Sequence, residues 1–393
     1  MTSIEIKNLD AQYVVQSYGR CDVVIDHGKG STLWTPEGRE YIDFTSGIGV
    51  NSLGYGNEKW IAAVAEQAAK LGHISNLFYS EPYAKLAATL CRRTGMKRVF
   101  FANGGGEANE GMIKCARKYS FDKYGDGRST IVTLYQSFHG RTVTTLSATG
   151  QDVFHNYFFP FTPGFRYAKA NDITDLKNRL GDDVCAVMIE LIQGEGGVLP
   201  LDRDFVSELA AICADNDILL LVDEVQTGVG RTGSLFCFEQ YGLKPDAVSF
   251  AKGIAGGLPM GGVMFGAKTE GVLTPGTHAT TFGGNPVAAA AANAVLAEMD
   301  DDFLKSVTEK GDYIRNTVKN WNLPAVTKVK GMGLMIGIAV TVPPKTVLAK
   351  CIENGLLVLT AGKDTVRLLP PLTISKGEID KGLEILHNVL KEI

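Results

Sequence analysis

The chain has 393 residues, 45% of them hydrophobic, with 39 Lys and Arg against 43 Asp and Glu; that is enough for a substantial core in a large domain with a smaller satellite. A net charge of -4 argues against a nucleic-acid surface or a polybasic membrane anchor, and no run reaches the roughly 20 apolar residues that span a bilayer. The mixed charge of "MTSIEIKNLD" argues against a secretory leader, and seven cysteines without a C-x-x-C pair read as reduced thiols, so the expected location is cytoplasmic and no metal site is expected.

In chain order, residues 1–52 hold "STLWTPEGREYIDF", expected as a hairpin, and show no parallel-sheet pattern. They are expected to pack on a smaller domain formed by the other terminus. Residues 53–285 alternate short β-branched runs with longer helical patterns. "RVFFAN" (98–103), "STIVTLY" (129–135), "CAVMIEL" (185–191), "ILLLVDE" (218–224) and "DAVSFAK" (246–252) read as strands, apolar on both faces as parallel strands covered by helices are. Helical spacing runs through 107–124 and 204–217. The fold class is therefore α/β, with a mostly parallel sheet covered by helices. From 286 to 393 the character changes: Asn285 and Pro286 open a poly-alanine helix, and "VKGMGLMIGIAV" and "GLLVLTAGKDTVRLLPPL" read as strands and turns of a smaller α+β domain.

Ligands of such sheets bind beyond the carboxyl ends of the strands, so the strand ends are where chemistry is expected. "FFANGGGEANEG" runs a strand through Gly104, Gly105 and Gly106 straight into a helix. Consecutive glycines let backbone N–H groups approach an anion, and a helix N-terminus favours it; a plain tight turn is the alternative. A P-loop would need Lys followed by Ser or Thr, and a dinucleotide fingerprint a glycine where Asn109 stands. "ILLLVDEV" ends a buried run on Asp223 and Glu224, and a desolvated carboxylate needs a partner. "VSFAKGIAGGLPMGG" places Lys252 between an apolar strand and a flexible glycine-rich segment, where a desolvated lysine becomes a nucleophile towards carbonyls; a solvated surface lysine is the alternative.

One cofactor uses all three features. Pyridoxal 5'-phosphate needs anion donors for its phosphate, a lysine for its aldehyde and a carboxylate opposite its ring nitrogen.

The same residues also carry a family resemblance. "LLLVDEVQTGVGRTG" followed by "DAVSFAKGIAGGLPMGG" resembles the class III (ω) aminotransferases of the type I pyridoxal-phosphate fold, and the likeness continues through "SFHGRT", "IQGEGGV", "GTHATTFGGNP" and "VRLLPPL". Within the class, the compact length and the wording of "SFHGRT" and "IQGEGG" are most similar to the acetylornithine aminotransferases of arginine biosynthesis. The resemblance implies Lys252 as the lysine that takes the aldehyde and moves the proton, and Asp223 as the ring-nitrogen partner. It implies Glu224, Val225 and Gln226 beside the cofactor, Phe138 on the other ring face, and Gly105 and Gly106 at the phosphate. Thr281 would be a phosphate ligand supplied by the neighbouring subunit, with Thr280 beside it facing the substrate, so a homodimer with shared sites is implied. The family has Ser or Thr in the phosphate loop where this chain has only glycine.

Substrate choice turns on arginines. The resemblance implies Arg141 as the anchor for the α-carboxylate of the long donor and Arg367 as the anchor for that of glutamate, with Glu195 neutralising Arg367 while the donor is bound and Tyr18 as an auxiliary carboxylate contact. Structural ion pairs are the alternative. Small-molecule partners are then an amino donor and 2-oxoglutarate or glutamate. The donor is read as N-acetylornithine, because ornithine aminotransferases place a tyrosine where this chain has Ile48. Ornithine, succinylornithine, 4-aminobutyrate or acyl-lysine transamination, an aminomutase or racemase on the same fold, and a non-catalytic protein that keeps the fold stay open.

Overall fold

The computed structural model describes residues 1–393. Its centre is a seven-stranded sheet with neighbours in the order Arg98–Ala102, Gly261–Phe265, Ala247–Phe250, Leu219–Asp223, Val184–Ile189, Thr130–Leu134 and Phe165–Ala168. Only Gly261–Phe265 runs against the others, so the five strands expected from sequence point one way and end on one edge. Alternate residues of one strand face opposite cores: Leu219 and Leu221 pack with Ala108, Met112 and Ile113, while Leu220 and Val222 join the larger cluster with Phe236 and Phe250. Both faces are dry, which is why these strands read as continuous apolar runs. Truncating one such leucine to alanine would cost about 2–5 kcal/mol.

Two strands were not expected. Gly261–Phe265 lies in the segment read as flexible, yet it is an interior strand: a Cβ at Gly261 would sit 2.8 Å from the Gly104 carbonyl oxygen, and one at Gly262 2.6 Å from that of Phe100. Its glycines serve close packing between backbones. Phe165–Ala168 is the other, an edge strand.

The helix Gly105–Tyr124 follows the first strand of the sheet and buries Ala108, Asn109, Met112, Ile113, Cys115 and Ala116. Pro286–Glu298 is capped by Asn285, whose Oδ1 accepts from the N–H groups of Val287 and Ala288 at 2.9 and 3.2 Å. Its small side chains let it nest against Glu58–Lys70 and Glu81–Thr94.

Near the N-terminus, Thr32–Trp34 and Glu40–Asp43 form the expected hairpin. Glu40–Asp43 also pairs in parallel with Leu356–Leu357, so the two ends of the chain share a sheet. A further sheet has the order Val326–Met332, Met335–Val340, Thr365–Leu368, Leu359–Ala361 and carries Arg367 to the edge where the large sheet ends. No helix is long and apolar enough to cross a membrane, and no group of side chains is arranged to hold a metal ion.

Candidate active site

A cavity of about 730 Å³ opens at that edge, lined among others by Gly105, Gly106, Phe138, Asp223, Val225 and Lys252. Asp223 closes its strand and is 3% exposed. Its Oδ2 accepts from Asn109 Nδ2 at 2.7 Å and lies 2.8 Å from His139 Nδ1, and its Oδ1 accepts from the N–H of Val225. Asn109 Nδ2 also donates to the His139 carbonyl at 2.7 Å, so the helix and the loop after Thr130–Leu134 are both tied to this carboxylate.

Lys252 stands two residues past Phe250 with φ +44, a left-handed conformation at a non-glycine residue that persists only where the surroundings impose it. The turn it opens is fixed by Ser52 Oγ donating to the Gly253 carbonyl and Trp60 Nε1 donating to that of Ala255. Burial, with Arg367 adding to it, pulls the ammonium below its ordinary value, while Glu195, Asp223 and Glu190 oppose. The consequence is a lysine closer to its neutral, nucleophilic form.

The helix Gly105–Tyr124 has no side-chain cap, and its first N–H groups have no helical acceptor. A Cβ at Gly105 would meet Val225 Cγ1 at 2.7 Å, so the loop must stay glycine there, whereas a Cβ at Gly104 would meet nothing within 4 Å. These donors face the cavity that holds Asp223 and Lys252. Anion donors, a buried carboxylate with an oriented imidazole, a depressed lysine and a flat aromatic wall at Phe138 fit pyridoxal phosphate.

Arg367 is 2% exposed. Its Nη1 donates to Glu195 Oε1 at 2.6 Å and Gln226 Oε1 at 3.1 Å, while its Nε has no partner. Burial works against ionisation of Glu195, but the charge and hydrogen bond of Arg367, helped by Lys252, hold its carboxyl below the usual range. Arg141 also lines the cavity; it has no acidic partner within ion-pair distance, and its guanidinium lies 5.3 and 4.2 Å from the ring centres of Phe138 and Phe154. The cavity wall therefore holds one unmasked arginine, Arg141, while a second, Arg367, lies behind the wall bonded to Glu195 and Gln226, which line it.

Four expected residues lie elsewhere. Glu224 points to the opposite face of its strand, wholly buried, and accepts from Thr227 Oγ1 and the N–H of Phe238; alternation along the strand sends it away from the cofactor side, so its expected place beside the cofactor is corrected to a structural one. Tyr18 is 73% exposed, on an extended surface segment between Ser3–Tyr13 and His27–Lys29, with Arg20 over its ring, and the chain does not bring it to this cavity. Thr280 and Thr281 lie outside the lining too; Thr280 Oγ1 accepts from Asn103 at the rim, and Thr281 is exposed among Phe78, Tyr79 and Phe282.

Three residues were missed. His139 stood unassigned inside "SFHGRT", and Asn109 was noticed only for what it excluded. Glu190 is 6% exposed and accepts from the N–H groups of Phe138 and Gly194; burial, with Asp223 adding to it, pushes its carboxyl up, against His139. An acid ending an apolar run, the signal that singled out Asp223, was equally present in "CAVMIEL".

The family model for class-III aminotransferases matches residues 13–390. An acetylornithine aminotransferase of Haemophilus ducreyi is 50% identical, covering 100% of both chains. Among solved structures, the N-acetylornithine aminotransferase of Stenotrophomonas maltophilia is 34% identical with a TM-score of 0.84, covering 98% of each chain. An ornithine aminotransferase of Toxoplasma gondii, reported with partial occupancy of PLP at its active site, is 31% identical with a TM-score of 0.95, covering 100% of this chain and 95% of its own.

Proposed function

The chain belongs to the class-III aminotransferases, and from that premise we propose that it moves the terminal amino group of N-acetylornithine to 2-oxoglutarate, giving N-acetylglutamate semialdehyde and glutamate, a step of arginine biosynthesis. The observation that carries the dual-substrate reading is the Arg367–Glu195 pair at 2.6 Å, with Arg141, an arginine without an acidic partner, on the same cavity wall as Glu195. Such an enzyme must seat two substrates of different length over one lysine, which calls for one permanent and one switchable carboxylate anchor. Relatives at 40–50% identity over the full chain carry the acetylornithine aminotransferase name, which supports the donor.

Pyridoxal phosphate, when bound, supplies an aldehyde that takes up the amino group and a ring that accepts the electron pair left when a C–H bond breaks. Asp223, oriented by His139 and Asn109, would hold the proton on the ring nitrogen. The N–H groups of Gly105 and Gly106 would take the phosphate, with Phe138 and Val225 against the ring and Gln226 at its edge. Lys252 would carry the proton between donor and cofactor at Nζ, a role its depressed affinity for protons suits. Arg141 would anchor the donor carboxylate bidentately, and Glu195 would release Arg367 when glutamate or 2-oxoglutarate arrives.

Residues 53–285 are the cofactor-binding unit in this reading; 1–52 and 286–393 together bring the second anchor. A homodimer is part of it. Leu77, Phe78, Tyr79 and Phe282 are 87, 64, 105 and 60% exposed, an apolar patch of the kind that covers an interface, and Thr281 among them would reach the partner's phosphate site. A cytoplasmic location follows from the proposed pathway and the free thiols.

The test is kcat/KM for N-acetylornithine and ornithine side by side with 2-oxoglutarate. Leaving the second ammonium of ornithine unpaired would cost a few kcal/mol, by order of magnitude, so N-acetylornithine is the expected preference. Equal or better turnover of ornithine would overturn the donor while leaving the cofactor assignment intact.

A further inference from the structure

Ser46, Gly47, Ile48 and Gly49 wind left-handed, with φ of 42, 65, 65 and 76°. Glycine accepts this freely. A β-branched residue does not, and the penalty at Ile48 corresponds to a factor of about five to thirty in population. Something must hold the turn.

Ser46 is wholly buried and bonded on each side. Its N–H donates to the Asp43 carboxylate, 3.1 and 3.0 Å from the two oxygens. Its Oγ donates to the Leu369 carbonyl at 2.7 Å and accepts from Arg231 Nη2 at 3.3 Å. Arg231, 2% exposed, also donates through Nη1 to the Pro370 carbonyl at 2.6 Å and to that of Leu334 at 3.1 Å. It makes no direct ion pair. A buried guanidinium placed on neutral oxygens from three parts of the chain is costly unless the junction it makes is needed.

The junction leads to the active site in two directions. Leu369 and Pro370 continue the strand that carries Arg367, and they are laced to the turn by the N–H of Leu369 donating to the Phe44 carbonyl and that of Leu372 to the Ser52 carbonyl. The other end of the turn runs into Val50 on the cavity wall and Ser52, which holds Gly253 beside Lys252. We propose that Arg231 is a positioning residue: through Ser46 it holds the strained turn 46–49 and thereby sets the spacing between Arg367 and the wall beside Lys252 that glutamate, the substrate anchored on Arg367, must match. The KM arm rests on the functional reading above; the clamp itself does not.

Ser46→Ala removes the oxygen that Arg231 and Leu369 share, and Ile48→Gly removes the strain it resists, so the pair forms a double-mutant cycle. In the holoenzyme with Ile48 present, Ser46→Ala is expected to raise amide hydrogen exchange across residues 44–52 and the KM for glutamate, each by about five- to thirtyfold. The value of kcat and the cofactor absorbance should stay within about twofold, since neither Lys252 nor Asp223 is touched. In the Ile48→Gly background, Ser46→Ala should raise exchange and KM by clearly less than with Ile48 present, because residue 46 is then the one non-glycine left-handed position in the turn. Unchanged exchange in the Ile48 background, an equal effect in both backgrounds, or raised exchange with unchanged KM would each overturn the proposal. Arg231→Lys, which cannot reproduce the fork, is expected to act like Ser46→Ala, but the cycle does not depend on its folding. If the wild type turned over no amino donor, the functional reading would fail and the exchange arm alone would decide the clamp.

Discussion

Replacing Glu195 by Gln keeps the shape of the Arg367 site and removes only its negative charge. Glu195 Oε1 is 2.6 Å from Arg367 Nη1, and Gln226 Oε1 is the other acceptor at 3.1 Å. Charge-assisted hydrogen bonds contribute about 1.5–3 kcal/mol. Glu195 keeps 30% side-chain exposure, so screening by solvent places the effect at the lower end, about 1.5–2 kcal/mol. With the competitor gone, the α-carboxylate of glutamate would gain that amount, while N-acetylornithine, which in the proposed reading binds with the pair closed, would gain nothing. At about 1.4 kcal/mol per tenfold, kcat/KM for glutamate should rise relative to that for N-acetylornithine by about 10- to 30-fold. Single-turnover absorbance of the bound cofactor reads both half-reactions on one preparation. A ratio within about twofold of wild type would mean that Arg367 is not the switched anchor, since that is under 0.5 kcal/mol, and a fall would reverse the sign of the argument.

Lys252→Ala is expected to abolish turnover yet bind cofactor noncovalently, because the glycine amides and Asp223 are untouched; borohydride reduction and peptide mapping should mark Lys252 in the wild type, and a label elsewhere would sink the assignment. Gly104→Ser fits an open space in extended backbone, φ -172°, and should lower the cofactor Kd about three- to tenfold through one added hydroxyl donor; an unchanged or higher Kd in a fluorescence titration of the apoprotein contradicts it. Burial pushes Glu224 up to about 7, against Thr227 and the N–H of Phe238, while the unfolded chain titrates near about 4.3. Between those values the folded state binds the extra proton, so this group makes stability fall as pH rises. Glu224→Gln should remove that fall, giving a Tm at about pH 8 equal to or above wild type and little change at about pH 5; an equal deficit at both would show a packing loss instead.

Apolar runs that end on Asp223, Lys252 and three glycines are local patterns, and they suffice to place a parallel sheet and three of its strand ends, because a two-faced buried strand can hardly be written otherwise. The family wording added Arg141 and Glu195, which line one cavity, and Arg367, which reaches that wall through its bonds to Glu195 and Gln226. What the sequence left unread is of another kind. His139 and Asn109 matter because they meet at one carboxylate from positions 30 residues apart in the chain, and no spacing rule records that meeting. Glu224 and Asp223 are adjacent acids in one apolar run, and only the register of the strand decides which one faces the cavity. The glycines of 261–265 read as a flexible segment because their requirement is set by the backbones on either side. The left-handed turn at Ile48 runs against every local preference of that residue, so it could come only from the contacts that Asp43, Leu369 and Arg231 supply from across the fold.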